Sequence, residues 1–193
     1  IRETGADKLS SLSHPGGDKK VIEEEEKSEE LKGQEATPFR AVAARSNYLA
    51  VDRPDIQYAV KEVCREMASP TQGGWRKLKR LSRSSKGRPR AVFQYKWQGR
   101  EGQLDGYSDS DWAGCRRTGK NTSGGVIMVG DHFIEAWART QGSVTLSSAE
   151  AELVAMCKLS AEVIGTAAMA AYWGDSLVGS VYADSTAALA ITN

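Results

Sequence analysis

Residues Gly106–Gly114 read GYSDSDWAG. Two aspartates, Asp109 and Asp111, stand between Tyr107 and Trp112, and glycines bound the segment. Read as a strand, its two-residue period places Tyr107, Asp109 and Asp111 on one face and Ser108, Ser110 and Trp112 on the other. A carboxylate in mid-strand lowers strand propensity and, once buried, costs desolvation. Two readings follow. Either both aspartates are turn formers at a solvent-exposed strand end, or a partner such as a cation offsets the cost.

Two later segments bear on that choice. Leu146–Ala155, LSSAEAELVA, opens a long helix, and Val181–Leu189, VYADSTAAL, reads as a strand that ends in Asp184 and turns into another helix. Between them and the first strand, Thr118–Ser123 is a polar loop. Gly124–Val129 and His132–Arg139 then form a β-hairpin across Gly130-Asp131, a two-residue turn of the Gly-X kind. Trp137 and Ile134 are expected to pack inward and Glu135 to face out. Short connections make these strands antiparallel, and the long helix is the crossover to a parallel fourth strand, Val178–Ala183. The predicted sheet order is three-two-one-four.

On the long helix, Ser147 and Glu150 have the S-x-x-E spacing of a capping box. At about 100° per residue, Glu150 and Glu152 point about 200° apart, so one site cannot use both. Leu153, Met156, Val163, Ile164, Ala167 and Ala168 define the expected buried arc, with Glu152 at its edge. The cap accounts for Glu150, which leaves Glu152 to lean over a neighbouring strand end; the alternative is an exposed surface glutamate. Asp184 follows the carboxyl end of its strand, where open α/β sheets build sites. Asp184 or Ser185 could equally cap the Thr186–Ile191 helix. Three carboxylates brought together raise one another's pKa unless a counter-charge is present. Oxygen-only ligands without His or Cys favour Mg²⁺ or Mn²⁺ over zinc.

The rest of the chain is consistent with one domain or a small pair in 193 residues, 40% of them hydrophobic. Cys64, Cys115 and Cys157 lie far apart with no C-x-x-C spacing, so neither a disulfide framework nor a zinc site is expected and a reducing compartment fits. No uninterrupted apolar run approaches the ~18–20 residues of a membrane span, and no signal-peptide pattern opens the chain. The first residue, Ile1, suggests a fragment or processed product. Ile1–Glu35, with EEEEKSEE at Glu23–Glu30, reads as a disordered acidic linker.

Phe39, Val42, Ala43, Tyr48 and Leu49 outline a first helix, and Arg53-Pro54-Asp55 interrupts it. Ile56, Ala59, Val60, Val63, Cys64 and Met67 have the spacing of a second. Trp75–Arg90, WRKLKRLSRSSKGRPR, is the sharpest electrostatic feature: Met67–Arg100 holds ten Lys or Arg and no Asp or Glu. Trp75, Leu78 and Leu81 can dock while Arg76, Lys77, Lys79, Arg80 and Arg83 face water. With Lys86, Arg88 and Arg90 they form a candidate phosphate footprint, the alternative being a solvated helix face.

YSDSDWAG, TSGG, SSAEAE and YADSTAAL, in this order, resemble the ribonuclease H domain of copia-type LTR retrotransposon Pol polyproteins. NYLAVDRPDIQYAV is similar to the segment that follows the polymerase there. The resemblance covers roughly Phe39 to Asn193. It implies an α/β, ribonuclease H-like mixed sheet, incomplete at its C-terminus, preceded by a helical thumb- or connection-like module. The divisions are residues 1–37 for the linker, 38–100 for the helical module and 101–193 for the ribonuclease H-like domain. Copia-type chains carry an aromatic and a leucine where Ser84-Ser85 stand here.

The reaction implied is hydrolysis of the RNA strand of an RNA–DNA hybrid with two Mg²⁺ (or Mn²⁺) ions. Asp109 would bridge both ions, Glu152 would hold the leaving-group ion and Asp184 the nucleophile-side ion. Implied partners are nucleic acid and the rest of the Pol polyprotein with its reverse transcriptase; no membrane is implied. The implied location is cytoplasmic or nuclear, within virus-like particles if the element is active. A fourth acidic or histidine-flanked position, a fifth strand and a last helix are expected beyond Asn193, so weak or no cleavage is expected of these residues alone. A non-catalytic nucleic-acid-binding remnant acting through residues 67–100, and a plain structural domain, are the alternatives.

Overall fold

The computed structural model describes residues 2–17, 24, 28–99, 102–115 and 118–192. It divides the chain into two units, Ile1–Val92 and Phe93–Asn193. The second unit starts earlier than the expected residue 101 because the chain ahead of the first strand is bonded to the hairpin. Tyr95 Oη donates to the Phe133 carbonyl, Gln98 Nε2 to the Val129 carbonyl, and Asp131 N–H to Gln98 Oε1.

In the first unit, α1 (Gly33–Leu49), α2 (Pro54–Cys64) and α3 (Gln72–Gly87) surround one core. The proline predicted to break the first helix starts the second, at a position where its missing N–H costs nothing. Ile56, Val60 and Val63 are buried as their spacing predicts, against Phe39, Val42, Ala43, Leu78 and Leu81. Thr71 caps α3 by accepting the Gly74 N–H.

The linker expectation needs correction at both of its ends. Arg2–Thr4 and Ala6–Lys8 form 3₁₀ turns with Thr4 and Ala6 buried, and α1 begins at Gly33. Lys86 Nζ donates to the carbonyls of Asp7 and Leu9, and Arg83 to Ser10, so basic residues tie these turns down. Residues 23 and 25–27 of the acidic run lie outside the described residues.

The second unit is a four-stranded mixed sheet in the order β3-β2-β1-β4, as predicted. Its strands are β1 (Gln103–Asp111), β2 (Thr122–Val129), β3 (His132–Thr140) and β4 (Val178–Ala183). β2 is antiparallel to both β1 and β3, and β4 runs parallel to β1 after the crossover helix α4 (Ser148–Tyr172). A short α5 (Thr186–Thr192) follows β4.

Leu104, Ile127, Trp137, Leu159 and Val163 form the core between α4 and the sheet. Glycines bring the layers close: a Cβ on Gly106 would lie 2.7 Å from Val163 Cγ2, and one on Gly179 would meet Val163 Cγ1 at 2.5 Å. Gly125 serves Trp137 in the same way, its absent Cβ leaving room for the indole.

Two expectations fail here. Ile134 is exposed: it stands three residues from the inward-facing Trp137, an odd step that puts it on the opposite face of a period-two strand, and the β2–β3 register shift between Ile127 and Met128 leaves it unpaired in a bulge. The buried arc of α4 runs through Ala151, Glu152, Ala155, Met156, Leu159 and Val163, whereas Ile164 and Ala168 are exposed. α4 is also long and apolar enough on average to cross a membrane, although Lys158 and Glu162 interrupt any continuous apolar run. In this fold its Leu159–Val163 side packs on the sheet.

Candidate metal centre

Asp109 is the antepenultimate residue of β1, paired with Gly124 of β2. Its side chain is exposed. Glu152, in the first turns of α4, is 8% exposed and reaches the same strand end, where its Oε1 accepts the Ser110 N–H at 3.1 Å. Asp184 follows β4, which lies next to β1 through the parallel pairs Tyr107–Tyr182 and Ser108–Ala183. The sheet therefore brings Asp109 and Asp184 side by side, and the helix supplies Glu152. One oxygen from each carboxylate lies within 4.8 Å of the others.

The competing roles of the neighbouring residues are resolved by their bonds. Ser185 Oγ accepts the Ala188 N–H, so Ser185 caps α5 and Asp184 is left for the cluster. Glu150 accepts the Leu146 N–H at 2.7 Å while Ser147 Oγ accepts the Glu150 N–H. This cap reaches one residue further back than the predicted reciprocal box. Asp111 belongs to the turn after β1: its Oδ1 accepts the Thr122 N–H, and Gly114 leaves room for its carboxylate. Of the two aspartates in GYSDSDWAG, one faces the cluster and the other holds the loop.

Electrostatics in the cluster favour a bound cation. Glu152's pKa is raised above its ordinary value, first by burial and then by the Asp109 and Asp184 charges, against the lowering effect of the Ser110 N–H. Its Oε2 is buried and accepts no hydrogen bond among the described residues. An orphaned carboxylate oxygen facing two further carboxylates is a donor set for a hard divalent ion. The residues present fit Mg²⁺ or Mn²⁺.

The basic segment is less open than the sequence suggests. Arg76, Lys86, Arg88 and Arg90 are exposed, whereas Lys77, Lys79, Arg80 and Arg83 are half-buried. Lys77 pairs with the buried Glu66 at 2.7 Å. Arg83 and Lys86 hold the N-terminal turns, and the Arg80 guanidinium lies against Gly17. Ser84 is buried and Ser85 donates to the Leu81 carbonyl. Ser85 borders an open cavity of about 570 Å³ together with Leu49, Ile56 and Leu81.

A buried amide cluster behind the carboxylates, built on Asn121 and Gln141, is not visible in the sequence. Asn121 sits in the Thr118–Ser123 segment that reads as polar loop, Gln141 lies between the expected hairpin and helix, and only their burial marks them out.

No family model matches the chain, and no solved structure matches it significantly. It is similar to an uncharacterised mitochondrial protein, AtMg00810, of Arabidopsis thaliana: 36% identical over 132 residues, covering 67% of this chain and 54% of that one. It is equally similar, 36% over 128 residues, to the retrovirus-related Pol polyprotein from transposon RE2 of the same plant, covering 66% of this chain and 9% of the polyprotein. The corresponding polyprotein from transposon TNT 1-94 of Nicotiana tabacum is 30% identical over 137 residues, covering 70% of this chain and 10% of its own length. The chain thus spans about half of the first relative and about a tenth of the polyproteins.

Proposed function

The chain belongs to the copia-type, retrovirus-related transposon Pol polyproteins, and from that membership we propose that its second unit is a ribonuclease H-like nuclease module. The substrate is the RNA strand of an RNA–DNA hybrid. The observation that carries this reading is the convergence of Asp109, Glu152 and Asp184 at one end of a mixed sheet, with Glu152 Oε2 buried and unpartnered. Mg²⁺ or Mn²⁺ ions held by these carboxylates would activate water and offset charge on the phosphodiester.

The chain's own residues have distinct tasks in this reading. Asp109 and Asp184 are exposed and meet the substrate side of the centre, while buried Glu152 anchors it to α4. The Ser110 N–H fixes Glu152 Oε1 and leaves the buried Oε2 available, with Asp109 and Asp184, to hold a cation. Discrimination of hybrid from DNA duplex rests on 2′-hydroxyls in a wide minor groove rather than on base identity. An intracellular location, cytoplasmic or nuclear, and work alongside the polymerase of the same polyprotein belong to this proposal.

The test is single-turnover hydrolysis of labelled RNA annealed to DNA, in Mg²⁺ or Mn²⁺, by a chain extended past Asn193 with the fourth acidic or histidine-flanked position that the resemblance implies, and with the same RNA in an RNA duplex as control. Hybrid-specific cleavage that disappears in Asp109→Asn is expected; cleavage that survives it overturns the assignment. A second reading, non-catalytic duplex binding through the first unit, is favoured by the exposure of Arg76, Lys86, Arg88 and Arg90 in a stretch without acidic residues.

A further inference from the structure

Behind the carboxylates, one buried side chain joins the sheet to the helix. Gln141, directly after β3, is 5% exposed. Its Nε2 donates to Ser123 Oγ on β2 at 2.8 Å and to the Ala151 carbonyl in α4 at 2.9 Å, and lies 3.5 Å from Ser110 Oγ. Ala151 immediately precedes Glu152, and Ser110 immediately follows Asp109. At the other end of the amide, Oε1 accepts from Asn121 Nδ2 at 2.9 Å, and the Gln141 N–H donates to the Asn121 carbonyl. Asn121, 1% exposed, also donates to Thr145 Oγ1 and accepts the Ala113 N–H.

A buried amide is costly unless its hydrogen bonds are made. Here both ends of Gln141 are bonded, and the bonds are directional, so they define where α4 starts relative to the strand ends. Apolar packing alone resists separation of the layers but resists sliding far less. The geometry points to Gln141 as a positioning residue: it clamps the Glu152 turn at its distance from Asp109 and so sets the affinity of the centre for a divalent cation. This inference rests on the metal-centre reading above.

The test is Mn²⁺ binding to the 193-residue chain, by calorimetry and by water-proton relaxation, with folding checked by circular dichroism. Gln141→Met keeps the length of the side chain and loses both ends of the amide. It is expected to bind Mn²⁺ at least about tenfold more weakly, the scale of supporting hydrogen bonds around metal ligands. Ile127→Ala, which opens a cavity in the sheet core away from the clamp, is expected to lower stability and keep the wild-type affinity. Ser123→Ala removes one acceptor of the clamp without enlarging any side chain, and is expected to weaken binding severalfold even where Gln141→Met does not fold. Wild-type affinity in folded Gln141→Met or in Ser123→Ala would overturn the clamp, as would an equal loss in Ile127→Ala. Absence of Mn²⁺ binding in the wild-type chain would overturn the metal-centre reading itself, and the clamp with it.

Discussion

Glu152 carries an unfavourable charge in the metal-free protein, and that has a measurable sign. Burial and the two aspartates raise its pKa in the folded chain above the ordinary glutamate value. Between those two values the folded chain binds more protons than the unfolded one, so this group's contribution to stability falls as pH rises. Glu152→Gln should therefore raise the metal-free melting temperature at about pH 7 and flatten its fall from about pH 5. Mn²⁺ should stabilise the wild type and not the variant. Melts at both pH values, with and without metal, check this, and a lower metal-free melting temperature in Glu152→Gln at neutral pH would contradict it. The two aspartates of β1 should separate in the same experiments. Asp109→Asn should lose Mn²⁺ binding with its fold intact. Asp111→Asn should keep binding and cost about 1 kcal/mol, because the Thr122 N–H then faces a neutral acceptor.

At the level of elements, α4 is placed by two devices. Its start is set by the Ser147 and Glu150 cap, and Ser147→Ala should cost about 1 kcal/mol in urea unfolding. Its height above the sheet is set by Gly106 and Gly179, which leave Val163 its room. Alanine at either position overpacks that interface, at about 1–3 kcal/mol. It should also weaken Mn²⁺ binding, since Glu152 travels with the helix. A Gly106→Ala protein with unchanged stability and unchanged metal affinity would show that the close approach is not needed.

Across the whole molecule, the basic residues have divided duties. Lys77 neutralises buried Glu66, which also accepts from Thr71 Oγ1 at 2.6 Å. Lys77→Ala should cost about 3 kcal/mol, the scale for breaking a buried pair, with no specific effect on duplex affinity. Arg76, Arg88 and Arg90 are exposed. Their combined replacement by Ala should leave stability unchanged and weaken duplex binding. The slope of log affinity against log salt should flatten by about 0.9 for each phosphate that is no longer neutralised. Fluorescence anisotropy over a salt series measures this; an unchanged slope would remove these three from the interface.

Local pattern was enough for the strand order, the hairpin turn, the break at Pro54 and the apolar face of α2. Each of these follows from short-range sterics, side-chain period and connection length, all written in consecutive residues. The candidacy of Asp109, Glu152 and Asp184 was legible too, as carboxylates at element ends in a recurring motif order. Their convergence was not, since it depends on the parallel pairing of β4 with β1 and on the close seat of α4. The same holds for Ile164 and Ala168, whose exposure depends on which neighbours lie beside α4, whereas the outward turn of Ile134 follows from period-two counting back from Trp137. Lys77, Arg83 and Lys86 read as solvated charges because their partners, Glu66, Ser10 and the Asp7 and Leu9 carbonyls, come from distant residues. Asn121 looked like loop polarity, and Gln141, between the hairpin and the long helix, carried no local signal. Only tertiary structure decides whether a polar side chain meets water or other buried polar groups, because burial is a property of the assembled layers and not of the local chain.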